Sequence, residues 1–319
     1  MSPILRALTP LALAGLLTHC ATSLGAGGAA GDAVTLRFAW PAGFSFQVDS
    51  STTTSENKQP PEQSAQSLLV RLEEQGGERK LITEQVMSPE EKEALEKLGL
   101  MSMPVIVVGP KGELRRIEGI ESRVEQMARQ AEDQGLPKEQ QTELSELMRE
   151  ALEQATRTWW EALVGKWSGL SLKPGEVVER RSQTTVPRLG SSADTVERVS
   201  LKERVACTEG AAEQRCVRVV LESSLDPKGL EQAQAGALKR LTSLMKASMG
   251  RRDEAIPEMK VTQLRIDSTV EFIAEPDTLV PHRLRTVRSS LLVLQFPDGA
   301  SNNIELQSEQ LERFTPQAR

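Results

Sequence analysis

Val199-Ser200-Leu201-Lys202-Glu203-Arg204-Val205-Ala206-Cys207 is followed by the polar run Thr208-Glu209-Gly210-Ala211-Ala212-Glu213-Gln214-Arg215, and then by Cys216-Val217-Arg218-Val219-Val220-Leu221. Val199, Leu201 and Val205 precede the loop, and Val217, Val219 and Leu221 follow it, so both flanks carry the alternation of half-buried strands. Two such strands around an eight-residue loop predict an antiparallel hairpin whose sulfurs face each other across the ladder. Closing a loop of ~10 residues by a disulfide stabilises by roughly 2.5 kcal/mol in the chain-entropy model. A structural disulfide in turn implies an oxidising compartment.

The same alternation repeats outward from this hairpin. Residues 261–274, 280–294 and 303–314 predict three more strands, the last two joined through Pro297-Asp298-Gly299. Towards the N-terminus, Val34, Leu36, Phe38 and Trp40 alternate with polar or small residues. Pro41-Ala42-Gly43 turns the chain, and Phe44, Phe46 and Val48 alternate again, which predicts a hairpin with one buried face. Leu68, Val70 and Leu72 lead through Gln75-Gly76-Gly77-Glu78 into a strand at 81–86. Residues 104–108 and 113–118 form a further pair about Pro110-Lys111-Gly112, and 172–186 starts the second β section.

Helical signals separate these meanders. Ser88-Pro89-Glu90-Glu91 supplies an N-cap, a first-turn proline and a capping-box glutamate for a helix that stops at Gly99. Residues 121–133 and about 138–164 are the helical middle of the chain. Leu144, Leu147, Met148, Ala151, Leu152, Ala155, Trp159 and Leu163 make a core-facing stripe, and Trp159, Trp160 and Trp167 close its end onto the sheet. Asp226-Pro227-Lys228-Gly229 opens one more helix over 229–248. Meander, helices, meander, helix, meander is the order of an α+β protein. Short turns imply antiparallel pairing. The expected architecture is a single domain over 33–316, built on a large, strongly curved, half-barrel-like antiparallel sheet with helices packed on one face.

The N-terminus reads as a leader. Arg6 precedes the apolar residues 7–17, a stretch too short for a bilayer, which needs about 20. Leu17-Thr18-His19-Cys20 resembles a bacterial lipobox, with His19 where a small residue is usual. This makes Cys20 a lipidation site, residues 1–20 a lipoprotein-type signal peptide, and the Gly/Ala-rich residues 21–32 a flexible tether. Cleavage after Ser23 or Ala26 is the alternative. An odd cysteine count agrees with lipidation, since Cys207 and Cys216 pair and a third free thiol would be left over. The expected location is the cell envelope, periplasmic or anchored to the outer membrane with membrane contact only through the lipid, with secretion as the alternative.

The 319 residues carry a net charge of −6, which becomes one unit more negative when Arg6 leaves with the leader. An acidic chain with no basic run has no footprint for nucleic acid. With six Phe, four Trp and no Tyr, it is poor in the rings that sugar-binding and single-strand platforms use. No catalytic set is legible. His282 is the only imidazole beyond His19, so a Ser or Cys nucleophile lacks a base, and a metal site or cofactor lacks ligands. Glu73-Glu74, Glu90-Glu91 and Asp253-Glu254 are read as solvated surface pairs.

Glu275-Pro276-Asp277-Thr278-Leu279-Val280-Pro281 resembles a hairpin turn of periplasmic half-barrel proteins such as the outer-membrane lipoprotein carriers. Residues 112–119 and 170–176 are similar to segments of a family of bacterial envelope lipoproteins of unknown function. The resemblance implies a curved sheet with helices in or across its concave face, and a hydrophobic ligand or envelope protein as partner. The expectation is therefore a non-enzymatic binding protein. A purely structural or interaction protein is the alternative, followed by a hydrolase working with carboxylates alone.

Overall fold

The computed structural model describes residues 32–57, 59–90, 92–93, 103–133, 135, 137–185, 192–249 and 259–317. The expected leader, Cys20 and all of the tether except Asp32 lie outside the described residues. No helix among them is long and apolar enough to cross a membrane.

The chain is α+β. In order it runs β1 (Val34–Thr35), β2 (Ser45–Glu56), β3 (Glu62–Gln75), β4 (Glu78–Val86), β5 (Val105–Val108), β6 (Leu114–Glu118), α1 (Ile120–Asp133) and α2 (Lys138–Trp160). A π-helical turn (Glu161–Gly165) leads to β7 (Ser171–Leu172), β8 (Val177–Thr185), β9 (Ser192–Val205), β10 (Cys216–Leu225), α3 (Leu230–Met249), β11 (Lys260–Ala274), β12 (Pro281–Gln295) and β13 (Ser301–Pro316). Eleven strands form one sheet in the order β6-β5-β4-β3-β2-β13-β12-β11-β10-β9-β8, and every pairing within it is antiparallel. The sheet curves without closing into a barrel. Its two meanders join at the centre, where β2 pairs with β13.

The edges of the sheet are β6 and β8, and the helical middle of the chain connects them. Both edges carry charges, Arg115, Arg116 and Glu118 on one and Glu179, Arg180 and Arg181 on the other. Charged edge strands resist pairing with another chain. Local chemistry accounts for the turns. Gly76 and Gly77 both have positive φ (63° and 79°), as a two-residue hairpin of this twist requires. Asp226 caps the turn that opens α3 by accepting from the Lys228 N–H, with Pro227 at the first position.

The expected hairpin of 34–40 with 44–48 does not form. Val34, Leu36, Phe38 and Trp40 are buried as their alternation implies, but their backbone pairs elsewhere. β1 lies against β7, Leu36 N–H donates to Leu170 O, and Arg37 and Ala39 donate to Pro276 and Thr278 carbonyls. Alternation reports which face is buried and not which strand is the partner. The segment is a strap across the end of the sheet.

The stripe on α2 faces mainly α1, where Leu152 packs with Ile120 and Val124, while Leu147 is exposed. The C-terminal end of α2 reaches the main core of the sheet, and further back Met148 and Leu152 pack with Ile117 of the edge strand β6. The helix expected after Ser88 is seen at Pro89–Glu90 and 92–93, with Lys92 N–H bonded to Ser88 O. Its remainder, to Gly99, lies outside the described residues.

The disulfide between Cys207 and Cys216 forms as expected, with Cα atoms 5.0 Å apart at the turn of the β9–β10 hairpin. Replacing both cysteines by serine should lower the unfolding free energy by about 2.5 kcal/mol, read as a drop in the urea midpoint. An unchanged midpoint would mean that the bond restrains nothing in the cooperative unit.

Candidate functional site

Inward-pointing residues follow from period two along each strand. In β12 these are Leu284, Thr286, Arg288, Ser290, Leu292 and Leu294. In β13 they are Phe314, Glu312, Gln310, Ser308, Leu306 and Ile304. The same sequence of apolar, polar and apolar residues recurs in β11 (Phe272, Val270; Ser268; Ile266, Leu264) and β9 (Leu201, Val199; Glu197, Thr195; Ala193). It recurs in β10 (Val219, Leu221; Ser223; Leu225), and β2 begins it with Phe46 and Val48 before Ser50 and Thr52.

Register aligns these polar positions. Glu197 pairs with Ser223, Ser223 with Ser268, Ser268 with Arg288, and Arg288 with Ser308. Gln310 and Glu312 continue to Thr52 and Ser50. One polar belt therefore crosses the middle of the inner face, with an apolar cluster on each side.

The first cluster closes one end of the face. Trp40, Trp160, Leu163, Val164 and Trp167 are fully buried with Phe46, Phe272 and side chains from β2–β5 and β9–β13. Trp160 meets Phe38 and Trp40 edge-on, and Trp167 stacks on Phe272 with ring centroids 5.1 Å apart. Their indole N–H groups are satisfied: Trp160 donates to Gly112 O, Trp167 to Ala162 O, and Trp40 to Leu279 O. Gly112 has φ +82°, and a Cβ there would lie 2.6 Å from Val164 and 2.8 Å from Phe38, so the β5–β6 turn can approach this cluster only as glycine. The second cluster lies under α3, where Ala233 and Ala237 meet Ala193, Leu264, Ile266, Leu292 and Leu294.

Charges on the belt are of three kinds. Glu197 is 3% exposed and binds two cations, Lys166 Nζ and Arg180 Nε, the latter at 2.8 Å. Burial pulls its carboxyl upward, but the hydrogen bonds and charges of Lys166 and Arg180 outweigh burial and hold it below the usual range. Because Lys166 directly follows the π-helical turn, this triad pins the crossover chain to β8 and β9. Glu312 is 3% exposed, and no cation among the described residues pairs with it. Burial pushes it up to about 7, against the opposing bonds of Gln310 and the Trp159 indole. Gln310 Nε2 donates to its Oε1 at 2.7 Å, and Oε2 has no partner among the described residues.

Arg288 is the third kind. It is half-buried, desolvation holds its guanidinium below its ordinary value, and no carboxylate among the described residues pairs with it. A desolvated guanidinium is a site for a carboxylate or phosphate.

A separate cleft of about 400 Å³ lies between the β8 edge and the start of α3, lined by Arg181, Gln183, Asp194, Asp226, Lys228 and Gln232 among others. Its carboxylates are already engaged: Asp226 with Arg181 at 3.3 Å and the Lys228 N–H, Asp194 with Gln183. A two-carboxylate hydrolase sets its groups about 5–10 Å apart. Glu197 and Glu312 are four strands apart, about 19 Å along the sheet at 4.8 Å per strand. Glu73, Glu74 and Glu90 are exposed, as their reading as surface groups requires, while Glu91 and Asp253-Glu254 lie outside the described residues.

His282, expected to be a surface or structural histidine, is structural in setting. Its side chain is 9% exposed, and its Nε2 is 3.5 Å from Glu275 Oε1. Burial lowers its pKa, opposed by Glu275. It also lies beside the disulfide, a proximity that no spacing in the sequence announces. The belt was likewise missed, although the interruption of each apolar alternation by polar residues on the inward phase was present to be read. No protein-family model, curated protein or solved structure matches the chain.

Proposed function

We propose that this is a non-catalytic protein of the bacterial cell envelope, exported by its leader and anchored through a lipid on Cys20. Its role is to hold an amphipathic ligand, a lipid or the acylated end of a lipoprotein, on the inner face of its curved sheet. The observation that carries this reading is Arg288, a desolvated guanidinium without a carboxylate partner among the described residues, on a polar belt with apolar walls. An anionic head group on the belt and a chain directed towards the α3 side would match that order of polarity. Tryptophans fill the opposite end, which restricts the ligand to the belt and the α3 side. That filling also favours the second reading, an interaction protein without a small ligand.

The test is transfer of pyrene-labelled phosphatidylglycerol from vesicles to the purified protein. Wild type should take up the probe, and Arg288→Gln should bind it about tenfold more weakly, the loss of one charge-assisted contact of about 1.5 kcal/mol. Equal uptake by both proteins would remove Arg288 from the site, and no uptake by wild type would leave the second reading.

A further inference from the structure

The β9–β10 turn and the start of β12 bring three soft ligand atoms together. The sulfurs of Cys207 and Cys216 and one imidazole nitrogen of His282 all lie within 4.8 Å of one another. His282 is nine-tenths buried, and neither ring nitrogen makes a hydrogen bond among the described residues. Glu275 Oε1 stands 3.5 Å from Nε2, and its other oxygen accepts from Thr278 Oγ1 at 3.0 Å, which holds the carboxylate in place. A carboxylate beside a buried imidazole is the arrangement that orients a metal-bound histidine.

We propose that reduction of this disulfide creates a zinc site made by Cys207, Cys216 and His282, with Glu275 orienting the imidazole. A dithiol donor supplies two electrons and two protons. The S–S bond breaks, two thiols form, and the donor closes to its own disulfide. Zn²⁺ then displaces the two thiol protons to solvent. Two thiolates with one divalent cation and a neutral imidazole carry no net charge, which suits so buried a place. Thiolate and imidazole donors favour zinc over hard cations such as magnesium or calcium, and three protein ligands leave a fourth position for water. The oxidised protein holds no metal here, because each sulfur is bonded to the other. This site is independent of the lipid-binding reading, since it lies at the hairpin turn and uses none of the belt.

The experiment uses the full chain, reduced with a phosphine that is then removed without air. Zinc chloride is added, the thiols are alkylated with N-ethylmaleimide, and the modification of each cysteine is followed by peptide mass mapping. One equivalent of Zn²⁺ should slow alkylation of Cys207 and Cys216 at least tenfold. Glu275→Gln should weaken zinc affinity by about 10–100-fold. His282→Ala should lose the protection, while His282→Cys, which restores a ligand, should keep it. The tryptophan near-UV signal reports folding in each case. Should His282→Ala fail to fold, the comparison of Glu275→Gln with His282→Cys carries the test. Alkylation of the reduced wild type that excess Zn²⁺ does not slow, or equal protection in a folded His282→Ala protein, overturns the proposal.

Discussion

Replacing Trp160 by alanine should cost about 3–5 kcal/mol, the largest loss expected of any single truncation in this protein. The indole is fully buried where the strap, the β5–β6 turn and the crossover chain meet. It packs edge-on against Phe38 and Trp40. Its N–H satisfies Gly112 O, a carbonyl that would be orphaned in the cavity. Leu147, another apolar residue of α2, is exposed and serves as the comparison. Its truncation should change stability by no more than about 0.5 kcal/mol. Urea unfolding of both variants gives the result. Similar losses would mean that the crossover does not seal the end of the sheet.

Glu312→Gln should raise stability at pH 8 and flatten its dependence on pH. In the folded protein burial lifts this carboxyl from 4.5 to about 7. Between those values the folded state keeps a proton that the unfolded chain has lost. The contribution is therefore complete below about pH 4.5, falls as pH rises, and is gone above 7. At 1.36 kcal/mol per pH unit the loss is about 3 kcal/mol. Glutamine carries no charge, but its amide N–H groups inherit the position of the unpartnered Oε2, at a cost of about 1 kcal/mol. A net gain of about 2 kcal/mol at pH 8 is expected, with no gain at pH 4.5. Unfolding curves at pH 4.5, 6 and 8 measure it, and parallel pH profiles for the two proteins would show that Glu312 is not desolvated.

Strand positions were legible in the sequence wherever turn chemistry and alternation agreed. The β9–β10, β11–β12 and β12–β13 pairs fall within a few residues of their expected bounds. Partner choice was less legible. Residues 34–40 alternate as a half-buried extended segment does, yet they pair with 170–172, 276 and 278, contacts far away in the chain. Local pattern cannot select among distant partners of equal polarity. The sheet order, with β2 joined to β13 at the centre, is invisible for the same reason. The polar belt is different. Ser50, Glu197, Ser268, Arg288 and Ser308 each occupy an inward phase, and each looks like a minor lapse in one strand. Only the register shows that the lapses align. The neighbours of His282 illustrate the remaining limit, since the disulfide reaches it from a hairpin more than sixty residues earlier.

The belt as a ligand site is tested most directly by native mass spectrometry of the full chain, purified from its own membrane fraction as wild type and as Arg288→Gln. The account predicts a wild-type population carrying a non-covalent lipid mass, an acylated Cys20 as N-terminus, and a bound fraction that largely disappears in Arg288→Gln. A wild-type protein that flies bare, or one whose bound lipid is the same in the variant, would contradict it.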